Sequence, residues 1–327
     1  MSKLLVFTQD KVFEEIENVK AEDLQKYLSD KNNILWLDIE NSSEKDIDML
    51  IDIFNFHSLS IEDVIFPHNY PKIETFEDYL FLIIHAVNYN EEEQTKIISQ
   101  EINIYFGENY IVSVHEESIK YIHSVIQRAK SNPMIMSKGT DFLLHLILDG
   151  ITDSFFPVLD IINDKIDKIE DKILIGNSGQ KVIMSEMLDL KRNLLNLRKI
   201  VGPLRNVYST LTRSDLPFIR TKTIIYFRDV YDHMLRIFDL IEAYRELLSA
   251  TMEADFTIIS TRLNEIMKTL TIIATFMMPL TLITSFYGMN VKAPEFEWGI
   301  FGYIFVWIII ILATVGMFLY FKKKKWF

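Results

Sequence analysis

Two hydrophobic periods divide the chain. Up to about residue 117, apolar positions come in β-branched or aromatic runs of strand length, at 3–8, 34–39, 79–87, 97–106 and 110–115. Short helical stretches around 22–28, 43–54 and 60–65 interrupt them, and Ser43 is placed to cap the second. Gly107-Glu108-Asn109, between the last two runs, suits a hairpin turn. From about Thr140 the period becomes helical. Val158, Ile162, Ile166, Ile169 and Ile173 form one stripe, and Leu190, Leu194, Leu197, Val201 and Leu204 another. Gly176-Asn177-Ser178-Gly179 separates them, so a long antiparallel helical hairpin is predicted. Its first arm carries Asp160, Asp164, Asp167, Glu170 and Asp171 on its other faces.

After a break at Pro217, neither glycine nor proline occurs between Thr221 and Pro279. One helix from about 221 to 287 is predicted, roughly 100 Å long at 1.5 Å per residue. No residue is charged between Lys268 and Lys292, nor between Glu297 and Lys322. Each run is at least 20 residues, long enough to cross a bilayer as a helix. Two membrane spans joined by a short loop follow, and most of the long helix must project from the membrane as a stalk. Lys322, Lys323, Lys324 and Lys325 follow the second span and predict a cytoplasmic C-terminus. Two spans return the chain to the same side, so the N-terminal part is predicted to be cytoplasmic too. Trp298, Trp307, Trp326, Tyr287, Tyr303 and Tyr320 lie in or near the spans, several where an aromatic belt would be. No signal peptide is visible at the N-terminus.

One seam of the long helix is small or polar: Glu253, Thr257, Ser260, Asn264, Met267, Thr271, Ala274, Met278, Thr281, Ser285 and Gly288. Ile272, Ile273, Phe276, Leu280 and Ile283 beside it are large and apolar. Two readings fit. Small residues let membrane helices pack closely. Alternatively the seam lines a water-filled pore, which two spans per chain can enclose only in an oligomer around an axis. Pro279, inside the span, frees the Thr275 carbonyl, either as ordinary irregularity or as a pore feature.

Charge narrows the function. Net charge is −12 over 327 residues. Only six of 34 basic and two of 46 acidic residues lie from Lys268 onward, so the preceding part carries −16. Such an acidic body argues against nucleic acid and is compatible with cations, or simply with solubility. The absence of cysteine excludes disulfides and thiol chemistry. The seven histidines have no close ligand spacing, and there is no nucleophile signature and no nucleotide-binding phosphate loop. Enzymatic activity is not expected.

TLTIIATFMMPLTLITSFYGMN (269–290), Pro294-Glu295, the second span and KKKKW (322–326) together resemble the CorA family of magnesium channels. His57-Ser58-Leu59-Ser60-Ile61-Glu62-Asp63, Pro71-Lys72-Ile73-Glu74, Leu190-Lys191-Arg192-Asn193-Leu194 and Tyr226-Phe227-Arg228-Asp229-Val230-Tyr231-Asp232 extend the resemblance over nearly the whole chain. It implies a membrane homopentamer with an α+β cytoplasmic domain (1–138), a helical hairpin (139–220) and a stalk helix (221–268). The first span (269–287), an extracytoplasmic loop (288–299), the second span (300–321) and a basic cytoplasmic tail (322–327) complete it. Five first spans would surround the pore, the second spans would ring them, and the lipid bilayer would be the other partner. Gly288, Met289 and Asn290 would form the mouth, with Glu295 in the same loop. Asn264, Thr271, Ala274 and Thr281 would line the passage, Met267, Leu270 and Met278 would narrow it, and Glu253 would add a negative ring near the cytoplasmic exit.

By the same resemblance Mg²⁺, joined by Co²⁺ and Ni²⁺, would be the substrate, and internal Mg²⁺ the regulator. Asp229 matches one carboxylate of the family's regulatory site. The partner position falls on Asn90, a departure, with Glu91, Glu92 and Glu93 following as substitutes or as a solvated turn. The terminal lysines set topology or form an electrostatic brake. A zinc transporter of the same superfamily and a non-conducting two-span scaffold are the alternatives.

Overall fold

The computed structural model describes residues 2–10, 12–67, 70–89, 96–175, 180–289 and 294–326. It divides into two compact units, Met1–Ala250 and Thr251–Phe327.

The first unit is built on a seven-stranded sheet. Its strands are β1 (Ser2–Phe7), β2 (Phe13–Glu17), β3 (Ile34–Glu40), β4 (Lys72–Thr75), β5 (Leu80–Tyr89), β6 (Ile97–Phe106) and β7 (Tyr110–His115). They lie in the order β2-β1-β3-β7-β6-β5-β4. Only β3 and β7 pair in parallel; the other neighbours are antiparallel. The five predicted strands are present. The two unpredicted ones, β2 and β4, are the sheet edges. An edge strand needs no continuous apolar run and is protected by charge. Accordingly β2 reads Phe-Glu-Glu-Ile-Glu and β4 Lys-Ile-Glu-Thr. At the predicted β6–β7 turn, the Gly107 N–H donates to the Tyr110 carbonyl at 3.0 Å.

Alternation along the strands gives the sheet two apolar faces. Leu4, Val6, Leu35, Leu37, Phe81, Ile83 and Val112 form one core with Leu24, Leu50, Phe56 and Ile61. The latter belong to α1 (Ala21–Leu28), α2 (Glu44–Asp52), α3 (Ser58–Ile65) and the α2–α3 connection. Ser43 caps α2 as expected, and Asp46 reciprocates by accepting the Ser43 N–H at 2.8 Å. α5 (Thr140–Asp153), α6 (Phe155–Ile175) and α7 (Gln180–Leu211) all pack against β5, and α4 (Lys120–Ser131) packs on α5. Both hairpin stripes are buried, and Lys172 of α6 pairs with Glu186 of α7 at 2.7 Å.

Two buried polar clusters tie these elements together. Ser113 donates to Asp38 at 2.5 Å, Trp36 Nε1 donates to Ser113 at 3.0 Å, and His115 Nε2 lies 3.2 Å from the same Asp38 oxygen. Burial pulls His115 down, but its hydrogen bond and charge interaction with Asp38 outweigh this and hold the imidazole above its ordinary value. The second cluster centres on Asp141 at the start of α5. Its carboxylate accepts from Arg220 Nε at 2.8 Å, from the Arg220 backbone N–H at 3.1 Å and from Thr223 Oγ1 at 2.6 Å, and Arg220 Nη2 pairs with it as well. This fixes the chain just before α8 (Ile224–Tyr287).

The second unit holds the remainder of α8, a short 3₁₀ turn (Pro294–Trp298) and α9 (Ile300–Lys323). Among the described residues, three helical stretches are long and apolar enough to cross a membrane: 140–175, α8 and α9. The apolar window of the first is 67% buried within the protein, against 0% and 6% for the others. The first is therefore a core segment, and α8 and α9 fit two membrane spans.

Candidate ion-conducting site

Within the second unit, α8 has one covered side. Ile272, Phe276, Leu280, Ile283 and Tyr287 recur at three- and four-residue steps and are half-buried. Phe276 stacks on Phe321 of α9 with ring centroids 5.7 Å apart. Phe321, 4% exposed, also packs on Trp326. At 100° per residue the seam predicted from sequence lies on the opposite side. Glu253, Asn264, Met267, Thr271, Ala274, Met278, Thr281 and Gly288 are all exposed, Met278 at 74%. Leu270 stands beside the seam, 56% exposed. Neither hydroxyls nor methionines of the seam turn toward α9. Pro279 is half-buried on the covered side, and α8 continues through it.

Two of the seam's hydroxyls share one posture. Thr271 Oγ1 donates to the Met267 carbonyl at 2.7 Å, and Thr257 Oγ1 to the Glu253 carbonyl at 3.0 Å. Each proton is used inside the helix. The oxygen lone pairs are left facing outward as acceptors, the arrangement that hydrogen-bonds the waters of a hydrated cation.

At the end of α8, the Gly288 N–H donates to the Thr284 carbonyl at 2.9 Å. A β-carbon at Gly288 would come within 3.0 Å of that same oxygen, so the turn is tight. Met289 is 56% exposed. Asn290 lies outside the described residues. Glu295 is half-buried in the 3₁₀ turn.

In the first unit, Asp229 is exposed on α8. Asn90 and Glu91, its predicted partners, lie outside the described residues, as do Glu92 and Glu93. Sequence reasoning missed the groups on α5. His145, Asp149 and Asp153 are spaced four apart, so they share one helical face, and that spacing was the available signal. His145 is lowered chiefly by burial, against the pull of Asp149 and Asp229 and with a smaller push from Arg128, so both carboxylates act on the same imidazole. Burial and then Asp149 raise Asp153. These interactions place His145, Asp149, Asp153 and Asp229 in one charge environment, but among the described residues of a single chain no three such groups converge on a metal-ion position.

Comparison with known proteins gives the family and the fold. The family model described as CorA-like Mg²⁺ transporter protein matches residues 31–323. The cobalt/magnesium transport protein CorA of Thermotoga maritima is 35% identical over 318 residues, 96% of this chain and 90% of the relative. The protein of the same name from Methanocaldococcus jannaschii is 26% identical over 90% of this chain and 91% of its own. The structure of the CorA magnesium transporter from Methanocaldococcus jannaschii superposes with a TM-score of 0.81 at 24% identity, covering 99% of this chain and 98% of that one.

Proposed function

The chain belongs to the CorA-like Mg²⁺ transporter family, and from that premise we propose that it is a Mg²⁺ influx channel, permeable also to Co²⁺ and Ni²⁺, assembled as a homopentamer in the cell membrane. The observation that carries the reading is the polar seam of α8, exposed along its length and opposite the side that α9 covers. Five such seams around one axis make a passage. Residues 1–268 stand in the cytoplasm as α/β domain, hairpin and stalk, 288–299 form the outer loop, and both termini are cytoplasmic. No nucleotide or nucleic acid takes part.

Mg²⁺ is small, hard and slow to lose water. At the mouth, Gly288, Met289 and Asn290 present carbonyl and amide oxygens that hydrogen-bond its first-shell waters without stripping them. Carboxylates there would bind more strongly and release more slowly. Thr281, Ala274, Thr271 and Asn264 continue the hydrated path, Met278, Leu270 and Met267 narrow it, and Glu253 attracts the ion toward the exit. Glu295 adds negative charge to the outer loop. An inward-negative potential supplies about 4.6 kcal/mol per divalent ion at 100 mV.

Regulation rests on Asp229, Asp149 and Asp153. Carboxylates gathered on one surface repel, and a divalent cation relieves that repulsion by binding the closed assembly preferentially. Asn90 and Glu91 of a neighbouring subunit complete the site. Internal Mg²⁺ thereby closes the channel.

The test is ion flux into proteoliposomes containing the purified protein, with Mg²⁺, Co²⁺ and Zn²⁺ compared. Potential-driven Mg²⁺ entry is expected. Zn²⁺ entry without Mg²⁺ entry would assign the chain to zinc transport, and absence of flux in any ion would leave a scaffold.

A further inference from the structure

The first unit contains a cleft of about 1170 Å³ outside the carboxyl ends of the parallel strands β3 and β7. In α/β sheets this is the position where ligands bind. Two of its lining residues, His85 on β5 and Asn103 on β6, are only 5% and 6% exposed. The strand register sets His85 opposite Glu101 and Ile83 opposite Asn103, so His85, Glu101 and Asn103 share one face of the sheet. The adjoining positions on that face, Phe81, Ile83, Tyr105 and Val114, belong to the apolar core.

Each of the two buried side chains is held at one atom and open at the other. His85 Nδ1 lies 2.8 Å from Ser99 Oγ, and Asn103 Nδ2 donates to Glu101 Oε1 at 3.2 Å. His85 Nε2 and Asn103 Oδ1 are buried and have no hydrogen-bond partner among the described residues. An orphaned buried polar atom costs roughly 1–3 kcal/mol, so two of them on one sheet face ask for an occupant. Burial keeps the ring neutral by pulling it down to about 4, and in the tautomer whose Nδ1–H donates to Ser99 the Nε2 is a bare lone pair. Asn103 Oδ1 is an acceptor by nature. Two lone-pair donors with no proton to offer call for an electron acceptor. The cleft's charged lining agrees, with Glu44, Asp48, Glu116 and Glu117 against Lys199.

We propose that His85 Nε2 and Asn103 Oδ1 bind a first-row transition-metal cation of the Co²⁺, Ni²⁺ or Zn²⁺ class in preference to Mg²⁺, with water completing the coordination. Imidazole nitrogen suits these borderline ions, whereas Mg²⁺ requires oxygen ligands. Ser99 and Glu101 act as positioning residues: Ser99 fixes the imidazole tautomer, and Glu101 aims the amide oxygen. The site shares no residue with the seam or with the Asp229 region and does not depend on the transport reading.

The test uses the full-length protein in detergent with Co²⁺ and a large excess of Mg²⁺, which fills the oxygen-donor sites. One Co²⁺ per chain should remain bound and show a d–d absorption band. His85→Ala should abolish that band, Ser99→Ala should weaken binding about tenfold, and Asn103→Asp should tighten it. The last variant separates ligation from folding, because general damage would not strengthen binding. Complete displacement of Co²⁺ by Mg²⁺ would overturn the proposal. So would retained Co²⁺ binding that is indifferent to His85→Ala and Asn103→Asp.

Discussion

Asp141→Asn is the sharpest test of how α8 is anchored. The Asp141 carboxylate is 1% exposed and receives Arg220 through its side chain and backbone N–H, together with Thr223 Oγ1, directly before α8 begins. The amide keeps the shape, removes the charge and turns an N–H₂ toward guanidinium donors. Breaking one partner of a buried pair costs about 3–5 kcal/mol. Arg220 is 44% exposed and can recover some hydration, which places the loss near the lower end, at about 3 kcal/mol. For a unit of this size that corresponds to a fall in melting temperature of roughly 6–12 °C. The pH dependence has a fixed sign. Burial alone would raise the Asp141 carboxyl, but hydrogen bonds from Arg220 and Thr223 outweigh it and hold the group below its ordinary value of 3.8. Its stabilisation is therefore complete above that value and is lost as pH falls through the depressed one. The variant should be least different from the parent in strong acid. Gly139 gives an independent check, since it has φ +108° and a β-carbon there would collide with the Arg220 guanidinium. Thermal unfolding of the full-length protein in detergent measures both. An Asp141→Asn melting temperature within about one degree of the parent at neutral pH would refute the reasoning.

Asn290→Ala should assemble normally and lose Mg²⁺ uptake in proteoliposomes; parent-like flux in a correctly assembled variant would remove the mouth motif from selectivity. Asp229→Ala should blunt Mg²⁺ protection against proteolysis and leave flux less inhibited by internal Mg²⁺, and unchanged protection would shift the sensor elsewhere. His115, held above its ordinary value of 6.5 chiefly by Asp38 against the opposing effect of burial, contributes stability that is full below that value. That contribution disappears as pH rises through the raised one, and Asp38→Asn should flatten the dependence in a melting series across pH.

The elements that bury a periodic apolar face were legible in the sequence. Ile97–Phe106 and Tyr110–His115 fall where their β-branched runs do, and the stripes of Val158 to Ile173 and Leu190 to Leu204 are buried as read. The edge strands β2 and β4 were not legible, because charge covers an edge and erases the hydrophobic signal. Helix α4 was missed for a different reason. Lys120–Ser131 buries only Ile122, Val125, Ile126 and Ala129 among charged and polar neighbours, too thin a stripe to stand out. The seam of α8 was visible as a pattern, but its orientation was not. Only the packing of Phe276 on Phe321 fixes which side α9 covers. The groups on α5 that share a charge environment with Asp229 lie some 80 residues earlier in the chain, and only the fold brings them into relation.

The exposure of the seam carries an argument about assembly. In hydrocarbon, an unsatisfied amide or hydroxyl costs several kcal/mol, because no water is present to replace the missing partner. Thr271 lessens its own cost by donating back to Met267, but its oxygen still lacks a partner on the outer side. Thr281 and Ser285 add exposed hydroxyls to the same side within the apolar span. A single chain leaves them uncovered, since α9 covers the opposite face and the described residues of the second unit hold no third apolar helix. Copies of the chain can, by turning their seams toward one another. Close dry packing would satisfy Gly288 and Ala274 but would leave the Met278 and Met267 side chains and the Glu253 carboxylate without room or solvent. An axis wide enough to admit water accommodates all of them at once. On that ground the proposed pore is the better of the two readings the sequence left open.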